Sequence, residues 1–337
     1  MKRLFCLAMF MAVGGMSFGA FTIQINPGSG LAGNSAALSA FQRAAEEWSS
    51  QLVGDVTIYV DADLSGGFAN PNTIGGASPT TYTPDVSDLN LSYTTVRSAL
   101  VAHGAAIGSV VLGHLPTSLD GLATAPSGAT VDTSTVGILR ANQRVLGLLS
   151  NTDTRADGVI TFNSAFAFDF DRFDADGVAP GMMDFQTVAA HELGHVLGFL
   201  SDVDEFDGGY LNTNLTTLDL FRFGAADAPT TLAEFETATR EMRPGFDAVL
   251  TDTISTYALS TGVDNGDGWQ ASHWKDDGIT GNLIGLMDPN LSTGTFRTVT
   301  AADLRALELI GFTLVPEPGR MLFILVGLAC VFRRRRR

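Results

Sequence analysis

Apolar and polar positions alternate along Phe21-Thr-Ile-Gln-Ile25, which predicts a strand. Over Ala36 to Leu52 the period changes: Leu38, Phe41, Ala45 and Trp48 recur at helical spacing. Val56-Thr-Ile-Tyr-Val60 then returns to alternation, so the chain opens as β-α-β. Glycine, proline, threonine and serine dominate Ser65 to Pro84 and Pro116 to Thr135. These stretches predict surface loops, with a helix from about Leu89 to His103 between them. Gly158 to Asn163 reads as another strand and runs into an acidic segment ending at Gly181. No internal repeat is present.

After that segment, Asp184 suits the N-cap of a helix, Thr187 to Leu197 supplies its interior, and Gly198 stands where a left-handed C-cap is wanted. The interior contains His191-Glu192-Leu-Gly-His195, an HExxH pattern. On a helix the two histidines lie one turn apart on one face, where both imidazoles can reach one zinc ion, with Glu192 beside them. Zinc needs neutral nitrogen donors and an open position for water, and a carboxylate can take that water's proton during attack on a carbonyl. The competing reading is two core histidines satisfied by hydrogen bonds.

A third protein ligand is required, and several residues are eligible. Asp202 and Asp204 lie just beyond the helix, where their ordinary role is in a solvated turn. Glu234, Glu236 and Glu241 lie on a segment that reads as helix, where a solvated face is the ordinary role. The other histidines are His103, His114 and His273. Asp219, within Leu218-Asp-Leu-Phe-Arg222, can pair with Arg222 or orient a ligand, and the sequence does not decide between these.

Composition narrows the classes. With 337 residues, 45% of them hydrophobic, the chain can bury a substantial core. The net charge is −16, and the positive charges gather at the ends, as Lys2, Arg3 and Arg333 to Arg337. Without those seven, 13 of the 20 basic residues remain against 36 acids, about −23, which repels a phosphate backbone and excludes nucleic acid as an expected partner.

Both ends read as addresses. Lys2-Arg3, an apolar run from Leu4 to Val13 and small residues through Ala20 have the layout of a secretory signal peptide over residues 1–19. At the other end, Val315-Pro-Glu-Pro318 precedes an apolar stretch from Met321 to Phe332 and five arginines. Twelve residues rise only about 18 Å, short of a bilayer's hydrocarbon core, while the arginines favour the cytoplasmic side. Residues 313–337 thus resemble the PEP-CTERM sorting signal of Gram-negative bacteria. The resemblance implies export across the inner membrane, processing by signal peptidase and an exosortase, membrane attachment through segment 321–332 before processing, and a cell-surface or extracellular destination. Cys6 and Cys330, the two cysteines, both fall in these end segments, which leaves none for a disulfide or a ligand in the folded region.

His191 to Phe199 (HELGHVLGF), a distant Ser272-His273-Trp274, and Met287 before Pro289 together resemble leishmanolysin-type metzincins over about Val188 to Phe312. More narrowly, the whole chain resembles bacterial metalloproteases with PEP-CTERM tails. In the short metzincin pattern a histidine or aspartate stands three residues beyond the glycine, and here that position is Ser201. The resemblance therefore implies that His273 completes the zinc site after an insertion. It also implies that Met287 forms a turn beneath the site, although a methionine is otherwise core packing. Thr300 to Phe312 becomes the closing helix, with Leu304, Leu307 and Ile310 at helical spacing.

The expected fold is α+β, a metzincin-like two-lobed peptidase domain over residues 20–312, with lobes of about 20–200 and 201–312 flanking a cleft. The expected activity is zinc-dependent hydrolysis of protein or peptide bonds, with Glu192 as general base. The acidic segment containing Asp169, Asp171, Asp174 and Asp176 is a candidate Ca²⁺ loop, against the ordinary reading of a solvated acidic loop. Asp264 to Gly268 reads as a turn. A non-catalytic, calcium-binding surface adhesin with a structural zinc site is the alternative, and HExxH alone leaves a zinc hydrolase of a non-peptide amide open as well.

Overall fold

A computed structural model describes residues 19–316 except 67, 69 and 80–89. The expected signal peptide as far as residue 18 and the sorting signal beyond residue 316, with both cysteines and the segment 321–332, lie outside the described residues. Among the described residues no helix is long and apolar enough to cross a membrane.

The chain is a mixed α+β protein. Strand β1 (Phe21–Pro27) leads to helix α1 (Ser35–Ser49), which starts where the Asn34 side chain accepts from the Ala37 N–H. Strand β2 (Val56–Ser65) pairs parallel with β1, Phe21 opposite Val56, completing the expected β-α-β opening. Further on lie β3 (Gly75–Pro79), β4 (Asn90–Ser92), α2 (Tyr93–Ile107), β5 (Thr130–Gly137), α3 (Arg140–Val145) and β6 (Gly158–Asn163). The main sheet has the order β1-β2-β6-β3, with β6 parallel to β2 and β3 antiparallel to β6 at the edge.

Helix α4 (Phe185–Val196) carries HExxH and packs between α1 and the sheet. Aromatic contacts fix it there: Phe41 of α1 meets Phe162 of β6 at 5.4 Å between ring centroids, and Phe162 meets Phe185 at 4.6 Å. All three rings are fully buried, each contributing about 1.5–3 kcal/mol by removal from water. Trp48 of α1 adds a hydrogen bond from Nε1 to the Ala190 carbonyl, 2.8 Å.

Beyond α4, β7 (Asn212–Thr216) joins β5 and β4 in a second sheet, and β8 (Arg222–Gly224), β9 (Ala248–Thr251) and β10 (Thr256–Leu259) form an antiparallel third. Leu259 of β10 bridges to Trp274, which brings the His273 segment alongside. Helix α5 (Ala301–Leu309) follows, capped by Thr300 with Asp303 in a reciprocal capping box.

Three expectations shift. The stretch Ser65 to Pro84 contains β3, and Pro116 to Thr135 ends inside β5, so neither is loop throughout. The helix expected from Leu89 begins four residues later, because Asn90–Ser92 first pairs with Thr135–Gly137 and only then does the Ser92 hydroxyl cap Thr95 N–H.

Candidate metal centre

Local sequence fixes both ends of α4. Asp184 caps the start, its carboxylate accepting from Thr187 N–H (2.9 Å) and Thr187 Oγ1 (2.5 Å). At the other end Phe199 N–H reaches Gly194 O and Gly198 N–H reaches His195 O, a Schellman closure that requires Gly198 at φ +116°. A Cβ there would stand 2.6 Å from the Asn142 side chain, so conformation and space both demand glycine.

The helix holds His191 and His195 side by side, and the fold brings His273 to them. His191 Nε2 lies 3.1 Å from His273 Nε2, and the three ring centroids are 4.9–5.1 Å apart. One nitrogen of each ring lies within 4.8 Å of the others. Each Nδ1 faces a backbone carbonyl: His191 that of Leu286 (3.0 Å), His195 that of Phe199 (2.8 Å), His273 that of Gln270 (3.2 Å). A carbonyl only accepts, so each Nδ1 carries the proton and each Nε2 is left with a lone pair. Three convergent lone pairs repel one another until a cation sits among them.

Burial keeps these rings neutral. It lowers the pKa of His191 to about 4 and of His195 to about 3, and that of His273 well below the ordinary value, with the neighbouring imidazoles adding to the effect on His195 and His273. The set is thus three neutral nitrogen donors with tautomers fixed from behind, which fits zinc.

Glu192 lies beside them, 7% exposed. Burial pushes its pKa up to about 8, against a hydrogen bond from the Ala77 backbone that pulls it down. A Cβ on Gly75 would lie 3.2 Å from Glu192 Oε1, so the glycine of β3 leaves that oxygen room. Beneath the site, Met287 packs under Gly194 so closely that a Cβ there would meet its sulfur at 2.2 Å. The centre opens into a cleft of about 750 Å³, lined among others by β3 residues Gly75 to Ala77 and by Trp269 and Gln270.

Carboxylates hold the segment that carries His273. Asp204 accepts from Ala271 N–H (2.6 Å), Ser272 N–H (3.1 Å) and Ser272 Oγ (2.5 Å), immediately before His273. Asp219 accepts from Ser201 Oγ and Asp202 N–H, securing the turn after α4, while Arg222 donates to the carbonyls of Ala271, Ser260 and Glu241. Asp303 of α5 accepts from Trp274 Nε1 (2.8 Å), Leu286 N–H (2.8 Å) and Met287 N–H (3.3 Å). Sequence reasoning did not single out Asp303. Its signal was the capping-box spacing Thr300-x-x-Asp303 at the head of a helix whose neighbours are apolar.

The rival ligands are not in the histidine group, although Asp202 and Asp204 line the same cleft. Asp204 binds backbone, and Asp202 accepts from Thr213 Oγ1 (3.2 Å). Glu234 belongs to its own capping box, Glu236 pairs with His114 at 2.6 Å, and Glu241 pairs with Arg243. His103 meets the Phe312 carbonyl. Asp169, Asp171, Asp174 and Asp176 are not among the acidic side chains grouped closely enough to share an ion in the described residues. Among the described residues the acidic group that is gathered is Asp276, Asp277 and Asp288. Oxygens of Asp169, Asp171 and Asp174 accept from the N–H two residues on. Asp264 and Asn265 do form a turn, their N–H groups held by Asp207. No protein-family model matches the chain, and comparison with curated proteins and with solved structures finds no match either.

Proposed function

We propose that the chain is an exported zinc endopeptidase with a metzincin-like, two-lobed domain. The observation that carries this reading is the convergence of three neutral Nε2 atoms from His191, His195 and His273 next to the buried carboxylate of Glu192. The edge strand supports a peptide substrate: β3 pairs only with β6 among the described strands, and an extended peptide can add to such an edge through main-chain hydrogen bonds. That mode lays a substrate backbone along the cleft wall that carries Ala77, beside Glu192.

When bound by the three imidazoles, zinc supplies the Lewis acidity, acidifying a water, polarising a carbonyl and by its charge favouring the ionised form of Glu192. Glu192, ionised, takes the proton of the attacking water and returns it to the leaving amine. The backbone carbonyls behind each Nδ1 keep the rings in one tautomer and orientation throughout. Trp269 lines the same cleft and offers an aromatic surface to the substrate.

The test pairs metal content with turnover. Purified full-length chain should hold one zinc, and Glu192→Ala should hold it equally while cleavage of quenched-fluorescent peptides drops about 10²–10⁴-fold. Wild type without zinc by elemental analysis, or a zinc-loaded Glu192→Ala with undiminished turnover, would overturn the reading.

A further inference from the structure

A second group of candidate ligand atoms lies on the segments that carry His273 and Met287. Asp276, Asp277 and Asp288 each bring a carboxylate oxygen within 4.8 Å of the others. Oxygens on opposite sides of a calcium ion, at about 2.3–2.6 Å each, stand at comparable separation. Asp276 is 6% exposed and Asp288 3%.

The charges in this group do not balance. Arg297 pairs with Asp277 Oδ2 at 2.8 Å and with Asp288 Oδ1 at 2.6 Å, so one guanidinium faces three carboxylates and two negative charges remain. Asp288 is further served by the N–H groups of Asp277 and Asn290. Asp276 is different: Oδ1 accepts from Gly278 N–H at 2.9 Å, whereas the buried Oδ2 has no donor. A carboxylate oxygen out of water and without a partner, on a residue grouped with two more carboxylates, is costly unless a cation joins it. A divalent ion supplies the missing charge, and an all-oxygen set selects a hard one.

We infer that Asp276, Asp277 and Asp288 form a calcium site distinct from the histidine centre. Its position gives it a purpose. Asp276 follows His273 by three residues, and Asp288 directly follows Met287. Arg297, which closes the group, donates its backbone N–H to Thr187 Oγ1 in the first turn of α4 (2.9 Å). Calcium at this point ties together the segment bearing His273, the turn under the site and the start of the active helix.

The experiment keeps zinc saturating in calcium-free buffer and adds CaCl₂ to the full-length chain, following Tm and bound calcium by equilibrium dialysis. One calcium per chain is expected, with Tm raised by roughly 5–10 °C once calcium is about a hundredfold above Kd. Asp276→Asn should abolish both effects, while Asp174→Asn, in the acidic loop, should keep them. Asp277→Asn, at the more exposed carboxylate, gives the same reading should Asp276→Asn fail to fold. No calcium bound by wild type at millimolar concentration, binding that survives Asp276→Asn and Asp277→Asn, or an equal shift with MgCl₂ would overturn the assignment. The histidine centre does not enter this test, because zinc is constant throughout.

Discussion

The two halves of the candidate metal centre are built by different means. His191 and His195 are neighbours because a helix makes positions four apart neighbours, and the caps at Asp184 and Gly198 suffice to define that helix. His273 lies 78 residues further along the chain than His195. It arrives through carboxylates, the half-buried Asp204 on its N-terminal side and the fully buried Asp303 on the side of Trp274 and Met287. The first half is local geometry, whereas the second is tertiary structure made of polar groups that must all be satisfied at once. Disturbing those groups should separate the two halves.

Asp303→Ala is the strongest such disturbance. Asp303 is fully buried and accepts from five donors, on Trp274, Leu286, Met287 and twice on Thr300. Removing it orphans buried N–H groups around the turn beneath the site, and urea denaturation should register a loss of about 3–5 kcal/mol. A loss under about 1 kcal/mol would mean the turn holds itself.

Asp204→Asn is a milder probe of the same half. An amide keeps the shape but offers one accepting oxygen where three donors now converge on two. His273 should lose its fixed approach, and zinc affinity, read by competition with a chromophoric chelator, should fall about 10–100-fold. Affinity within twofold of wild type would show that the chain path alone places His273.

The same division governs what the sequence disclosed. The β-α-β opening and α4 were legible because their signals are local: alternation over Phe21 to Ile25, helical spacing through Trp48, caps at Asp184 and Gly198. Strand β3 was hidden because Gly75-Gly-Ala-Ser-Pro79 has no apolar alternation; only its place at the sheet edge, with Pro79 at the end of the pairing, lets it be a strand. Strand β5, Thr130 to Gly137, was read largely as loop for a similar reason, since its pairing with β4 and β7 supplies what its composition lacks. His273 was one of several eligible ligands, and it and Met287 gained their roles only through a family resemblance. Nothing in the spacing of Asp204 or Asp303 from them announces that these acids hold them, because burial and partners are settled by the fold.

The weakest perturbation bears on an acid that the sequence left eligible as third ligand. Glu234 sits on the short helix Leu232–Thr237, and its carboxylate accepts from Thr230 N–H (2.8 Å), Thr230 Oγ1 (2.9 Å) and Thr231 N–H (3.1 Å). These bonds, those from Thr230 foremost, hold its pKa below the usual carboxylate value. A carboxylate with a depressed folded-state pKa stabilises above the ordinary value, and that stabilisation disappears as pH falls through the folded one. Glu234→Ala should therefore lower Tm by no more than about 2 °C at neutral pH, with the difference from wild type closing in acid. Zinc content should not change at all. If it fell with Glu234→Ala and not with His273→Ala, the distant half of the centre would have to be reassigned, and the contrast between a locally written pair and a ligand delivered by the fold would rest on the wrong residue.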